Sequence, residues 1–458
     1  MEETNKHMSE KEAIEMLHHY NDDLLPQKFG KAGKTWVVFL IAIIVFGLYN
    51  YVIQLKKGLS ITGLSDTVSW GIYISNFVFF VAVSLVGSLI TAVLNLLNVS
   101  WRAPITRMAE IIAVAGIIFA GLIIIVDMGR PDRIINMFIH GRIQSPIMWD
   151  VIVVATYMTI SLLFLYFPLL PGISFCRDRM KNIPKWQHKM YKILALGWNN
   201  KPAQYKLVKK AITILSVLII PVALSIHTVT SWLFATTYRP GWDSTNFGAY
   251  FVAGAFMVGA AAVIAGMYVI RHFYKKYDEL ITNKHFDRMG RLLVLLSFIY
   301  LYFTINEYFI PGYKMKGDEA EHLKELFVGH YAPMFWLVQI FGMFIPIIVL
   351  LFPQGRKPRS IFLMSVFVII GAWFKRYLIV IPTMLHPFLP LQQIPEAAKH
   401  YSATLAEWSI TGASLAGALL VITLFIRYFP IISIWEVAEE RGVSHYTIYK
   451  HLNEQESH

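Results

Sequence analysis

A single cysteine, Cys176, is the whole thiol content of this 458-residue chain. One cysteine cannot close an intrachain disulfide, hold an iron–sulfur cluster or form the paired-cysteine attachment of a c-type haem. Electrons that reach such a chain must come from a partner or leave to one. Charge is also scarce. Asp, Glu, Lys and Arg supply 15% of residues against 56% hydrophobic ones, and the mean hydropathy is +0.52. No glycine loop of the phosphate-cradling kind and no HExxH motif occurs. Only His227 lies clearly inside an apolar stretch, whereas His272, His330 and His386 fall at or beyond the ends of such stretches. Two facing histidines at one depth, the usual ligands of haem b, are therefore not expected. The first 34 residues are polar and mixed in charge, without a basic–apolar–cleavage pattern, so no cleaved signal peptide is expected.

What the chain has in abundance is long apolar runs. Spans are predicted near 35–55, 68–98, 107–127, 148–169, 208–235, 247–272, 289–310, 333–353, 361–381 and 405–429. About 20 apolar residues, rising roughly 1.5 Å each, cross a bilayer core. The expected fold class is an all-α integral membrane protein with about ten transmembrane helices.

The net charge is +12, from 41 Lys+Arg against 29 Asp+Glu. In a soluble protein this would suggest nucleic acid; here basic loops that fix topology explain it, and no nucleic-acid partner is expected. The basic residues gather after span 4 (Arg177, Arg179, Lys185, Lys189, Lys192), after span 6 (Lys275, Lys276, Lys284, Arg288) and after span 8 (Arg356, Lys357, Arg359). All three loops share one side, which the positive-inside rule makes cytoplasmic, with both termini there. The loop between spans 3 and 4 breaks the trend: Arg130, Arg133 and Arg142 would lie outside and need another role.

A weak internal repeat is visible. Span 2 opens with Trp70-Gly71-Ile72-Tyr73 and span 6 with Phe247-Gly248-Ala249-Tyr250; Arg107-Met108 in span 3 matches Arg288-Met289 in span 7; Pro146-Ile147-Met148-Trp149 at span 4 matches Pro333-Met334-Phe335-Trp336 at span 8. Order and direction agree, as in parallel repeats. The expected organisation is a cytoplasmic segment 1–34, a flanking helix and loop 35–67, a first four-helix bundle 68–235, a second bundle 236–381, and an outer loop, last helix and cytoplasmic tail 382–458.

Ionisable residues inside apolar helices are expensive and mark function. Helix direction places Asn76, Asp127, Asp150 and His227 at one depth in the outer half of the first bundle, with Ser84 near the middle of span 2. A histidine and carboxylates in a lipid-accessible cavity can exchange protons with a bound amphipathic quinone. Each also has a simpler role: the acids as interface partners of Arg130, Arg133 or Arg142, His227 as a donor to a backbone carbonyl, Asn76 as helix–helix glue. Glu110 is expected to pair with Arg107. In the second bundle Glu307, Lys375 and Arg376, with Glu407 near the outer end of span 10, form either a proton path or an ion pair, Glu307 pairing with Lys375 or Arg376.

WGIYISNFVFF in span 2, ITRMAEIIAV in span 3, DMGRPDR at its exit, GRIQSPIMWDV into span 4, LLPGISFCRDR after it and LSIHTVTSWLFA in span 5 resemble the NrfD/PsrC family, that is, polysulfide reductase NrfD-like membrane subunits. The ten-span length is most similar to the larger ActC/ActF-type subunits of alternative complex III and related respiratory complexes. The resemblance implies a quinone- or menaquinone-exchanging subunit of a respiratory oxidoreductase, without haem or iron–sulfur cluster of its own. It implies a ferredoxin-like iron–sulfur subunit docked on the outer face. In some such complexes it also implies molybdopterin-type or multihaem cytochrome subunits, a second NrfD-like subunit and bound membrane lipid. It further implies the cytoplasmic membrane of a prokaryote, a quinone site in the first bundle toward the outer face, and Asp127, Arg130, Asp150 and His227 as its residues. Arg133 and Arg142 would serve partner docking. There is one departure. The ActC-like pattern places a histidine before small residues, GHAG, where this chain has Ser84-Leu85-Val86-Gly87. Serine is no base near neutral pH, so the departure bears on the site's proton acceptor and direction. The competing class is a secondary transporter, which parallel repeats and intramembrane charges also suit.

Overall fold

A computed structural model describes residues 25–26, 28–97, 99, 101–180, 183–237, 239–274, 277–386, 400–432 and 435–436. Lys275, Lys276 and most of the two terminal segments lie outside the described residues. The helices are α1 (Lys31–Lys57), α2 (Ile72–Leu96), α3 (Ala103–Asp127), α4 (Ile134–His140), α5 (Pro146–Arg179), α6 (Lys185–Leu194), α7 (Pro202–Ala235), α8 (Phe247–Phe273), α9 (Asn283–Lys314), α10 (Gly317–Phe327), α11 (Ala332–Gln339), α12 (Ile345–Leu351), α13 (Pro358–Met384) and α14 (Leu405–Tyr428). A π-helical turn, Ile340–Phe344, joins α11 to α12 into one span. Among the described residues, ten helical segments are long and apolar enough to cross a membrane. They are α1, α2, α3, α5, α7, α8, α9, α11–α12, α13 and α14. The chain is an all-α, multi-pass integral membrane protein. Alternation of the spans puts α4 and α10 at one end of the molecule and α6 at the other.

Two spans outrun their expected limits. α5 continues to Arg179, past Pro168 and Pro171, and α7 begins at Pro202. Proline removes a backbone donor, but a membrane helix tolerates it where the freed groups find partners. In this stretch the Pro168 carbonyl also ties α5 to other parts of the chain, accepting from Arg107 Nη2 and from Trp435 Nε1, each at 3.1 Å. The same arginine lies 4.0 Å from Glu110 and 3.8 Å from Glu436, so the expected Arg107–Glu110 neighbours are found with a second acid beside them.

The packing has a centre and a rim. α2 touches α3, α7, α8 and α13. Its most apolar stretch is 89% buried, against 17% for α1. α2 is therefore the axle of the fold, while α1 rides outside along α14, which in turn leans on α3. One apolar core runs from Phe77 on α2 through Met257 on α8 to Val368 on α13. A smaller one at the α6 end joins Ile173, Tyr191 and Trp198.

Without water to drive association, membrane helices gain stability from close van der Waals packing over small residues. Gly87 of α2 is such a point. A methyl group added there would run into the Ala109 carbonyl and the Ala113 side chain of α3. Gly87→Leu should cost about 1–3 kcal/mol through overpacking. Thermal unfolding of the detergent-purified protein should show a lowered Tm, and an unchanged Tm would mean that α2 and α3 do not cross so closely.

Candidate functional site

Asp150 stands in the second turn of α5 and is buried. Its Oδ1 accepts a hydrogen bond from the Thr230 hydroxyl of α7 at 2.5 Å. One turn earlier on the same face of α7 is His227, 2% exposed, with neither ring nitrogen hydrogen-bonded. Exposed Ile147, Ile152, Leu224 and Trp232 lie on the same two helices. Asp150, Thr230 and His227 are all buried where α5 packs against α7, and both helices carry exposed apolar side chains elsewhere. A carboxylate with one partner and an imidazole with none can take up and release protons, and can donate to a carbonyl oxygen. Arg376 of α13 is the charged neighbour of His227.

The other residues expected at this depth have partners on other elements. Asn76 donates to Thr411 Oγ1 at 2.8 Å and accepts from Trp373 Nε1 at 2.8 Å. It ties α2 to α13 and α14 rather than to α5 and α7. Asp127 ends α3 with one buried oxygen unpartnered. Its neighbours are Glu407 and Tyr73, and the Tyr73 hydroxyl donates to Gln54 of α1 at 2.7 Å. Ser84 spends its hydroxyl on the Val81 carbonyl at 2.8 Å, while its own carbonyl accepts from Tyr157 at 2.6 Å.

Arg130 is on the surface, closed on Asp132 through two hydrogen bonds of 3.0 and 2.9 Å. The pair is too exposed to contribute much stability, and neither it nor Arg133 or Arg142 is an ion-pair partner of Asp127 or Asp150 among the described residues. Arg133 and Arg142 are solvent-exposed.

Glu407, expected in an ion pair or a proton path, is held in a set of hydrogen bonds. It is fully buried, with no ion-pair partner among the described residues. It accepts from the Gly63 and Thr404 amides at 2.7 and 2.9 Å and from the Tyr401 hydroxyl at 2.7 Å. It caps α14 and clamps the 58–71 connection. Glu307 and Lys375 are electrostatic neighbours but form no direct ion pair. The Lys375 ammonium instead donates to the Tyr308 hydroxyl. Arg376 donates to the Ala372 carbonyl at 3.2 Å beside Tyr250 and Tyr300. Hydropathy sets the depth of a residue along its helix but says nothing of rotation about the helix axis, and these partners are decided by rotation.

Thr230 was not among the residues expected from the sequence, although its i+3 spacing from His227 was the available signal. Nor was His322 on α10, which lies outside every apolar run. Burial pushes the His322 imidazole down to about 3, with His386 and Lys375 adding to the effect, so it is neutral at physiological pH.

With these positions fixed, comparison with known proteins decides the family. A family profile described as polysulphide reductase, NrfD, matches residues 60–387. The chain belongs to the NrfD family. It is similar to a selenate reductase chain of Mesobacillus selenatarsenatis, 24% identical over 410 residues that cover 87% of this chain and 94% of the relative. It is likewise similar to the Hdr-like menaquinol oxidoreductase integral membrane subunit of Archaeoglobus fulgidus, 24% identical over 88% of this chain and 95% of that one. A third relative is the integral membrane subunit of menaquinone reductase from Nitratidesulfovibrio vulgaris, 23% identical over 86% of this chain and 91% of the relative. The match to these NrfD-like membrane proteins runs nearly end to end.

The Glu407 clamp is testable apart from any activity. Glu407→Ala strands several buried donors, each lost acceptor costing about 1–3 kcal/mol. A clear fall in Tm in detergent is expected, with partial recovery in Glu407→Gln, which keeps one acceptor oxygen. Equal stability of all three proteins would refute the clamp.

Proposed function

We propose that this NrfD-family chain is the quinone-exchanging membrane subunit of a multisubunit respiratory oxidoreductase, and that Asp150, Thr230 and His227 form the core of its quinone site. The observation that carries the reading is the buried Asp150–Thr230 contact, with His227 unpartnered one turn away, where α5 packs against α7. A quinone reduced or oxidised there needs a donor to its carbonyl oxygen and a place for each proton. His227 and Asp150 supply those two functions, and the apolar flanks suit the tail. The names of relatives that act on menaquinol or menaquinone support the same substrate class. Asp127, at the α4 end of α3, is assigned the exchange of the released or captured proton with the aqueous side.

In this reading the α4 and α10 end faces outward and both termini are cytoplasmic, as the basic loops at the α6 end favour. The chain supplies no thiolate ligand set, so an iron–sulfur subunit docked at the α4 end carries the electrons. Arg133 and Arg142, exposed and without an acid of the quinone site, are its docking contacts.

Two sets of variants test this. Asp150→Asn and His227→Ala should each lower quinone-linked turnover of the purified complex at least about tenfold, the low end of general acid–base effects being about a hundredfold. The complex should still assemble with all its subunits, and Asp127→Asn should lose less. Wild-type turnover in both Asp150→Asn and His227→Ala would remove the site.

Docking is tested separately. Arg133→Glu with Arg142→Glu should release the partner protein at salt concentrations that the unaltered complex withstands, since exposed charge pairs are screened over about 8–10 Å. Identical retention at every salt concentration would exclude the arginines from docking.

A further inference from the structure

The α6 end of the molecule carries a surface that has no part in the chemistry proposed for the α5–α7 seam. Helix α6, KWQHKMYKIL, is short and is not one of the ten spans. Two hydrogen bonds fix its level. The hydroxyl of Tyr166, a residue within the apolar run of α5, donates at 2.6 Å to the carbonyl of Leu194, the last residue of α6. The Tyr191 hydroxyl donates at 2.7 Å to the carbonyl of Tyr428, the last residue of α14. α6 is therefore held at the level where two spans end.

The helical repeat gives α6 three faces. Gln187, Tyr191 and Leu194 fall on the first, and Tyr191 and Leu194 belong to the small core with Ile173 and Trp198. Lys185, Lys189 and Lys192 fall on the second. All three are exposed, and none has an ion-pair partner among the described residues. The acid nearest to them in sequence, Asp178, is paired with Arg177 at 2.7 Å. Trp186 and Ile193 fall on the third face and are 55% and 60% exposed. The Trp186 ring meets that of Tyr428 edge-on, with 5.4 Å between centres. Water would satisfy the lysines but would leave the tryptophan and the isoleucine unfavourably exposed. A membrane surface satisfies both: an apolar strip enters the acyl boundary while neighbouring lysines keep their ammonium groups among the phosphates.

We propose that α6 lies in the bilayer surface at its end of the molecule and binds anionic phospholipid there. Trp186 and Ile193 enter the acyl boundary, and Lys185, Lys189 and Lys192 hold headgroup phosphates. Lys206 and Lys210, exposed in the first turns of α7, add positive charge at the same end. The ligand is a glycerophospholipid of net negative charge. A neutral headgroup leaves three lysines without a counter-charge, and free phosphate leaves the apolar strip uncovered. Each lysine close to an anionic surface favours association about fivefold, so three together favour it on the order of a hundredfold. Because α6 closes the small core beneath α5 and α14, lipid bound here steadies the ends of both spans.

The test uses the full chain reconstituted in vesicles of phosphatidylcholine and phosphatidylglycerol. A nitroxide is attached at Ile193→Cys, the native Cys176 being buried. Molecular oxygen, which concentrates in lipid, should relax the label more than a water-soluble nickel chelate does. Stronger relaxation by the chelate would put the strip in water, and access to neither reagent would put it under protein; either result overturns the proposal. Separately, mild detergent re-extracts the chain, and mass spectrometry compares the phosphatidylglycerol it retains with the phosphatidylcholine. With Lys185→Gln, Lys189→Gln and Lys192→Gln combined, that ratio should fall at least about threefold. With Lys185→Arg, Lys189→Arg and Lys192→Arg combined, it should stay at the wild-type value. A ratio unchanged in the glutamine variant, or lowered as much in the arginine one, contradicts the proposal, as does displacement of the lipid by inorganic phosphate. Neither measurement depends on quinone turnover, so failure here and failure of the quinone site are distinguishable.

Discussion

Removing ionisable groups from water is the cost around which this fold is arranged. A buried carboxylate without compensation is unfavourable by several kcal/mol, and hydrogen-bond donors or a cation must offset that. The chain does this very unevenly. Glu407 is fully buried and has three donors at 2.7–2.9 Å. Asn76 uses one amide hydrogen and its oxygen to bind two other helices. These groups are structural because nothing in them is left to react. Asp150 has one donor, His227 none, and Glu307 and Lys375 no direct ion pair. Incomplete compensation is what makes a group able to change its protonation state, and Asp150 and His227 are the groups to which function is assigned.

The under-satisfied groups fall into two sets held by different helices. One is at the α5–α7 seam; the other is enclosed by α8, α9, α10 and α13. Arg376 lies between them, beside Tyr250 and Tyr300 on one side and His227 on the other. A cation that faces both sites gives them an electrostatic connection without a shared cavity.

Much of this was legible in the sequence. Apolar runs of sufficient length located every span, because backbone hydrogen bonding in lipid leaves a helix little alternative. The depth of each polar residue followed from span direction. Direction about the helix axis did not follow. Asn76 bonds to α13 and α14, and Glu407 meets amides of a connection that hydropathy does not describe. α5 runs past Pro168 and Pro171 to Arg179, beyond its apolar run, and there the Pro168 carbonyl accepts from Arg107 and Trp435. α10 carries no apolar run, so hydropathy gives no sign of it. Its sequence, GDEAEHLKELF, has acids in the first turn and a lysine in the last, a pattern matched to the helix dipole.

The central claim is that quinone binds at the α5–α7 seam. The most direct measurement is photolabelling of the membrane-embedded complex with a photoreactive short-chain quinone, followed by mapping of the labelled peptides by mass spectrometry. The account predicts label on the residues around Asp150 and on those around His227 and Trp232, competed away by excess unlabelled quinone. Competable label confined to α13 and α14, with none on α5 or α7, would contradict it.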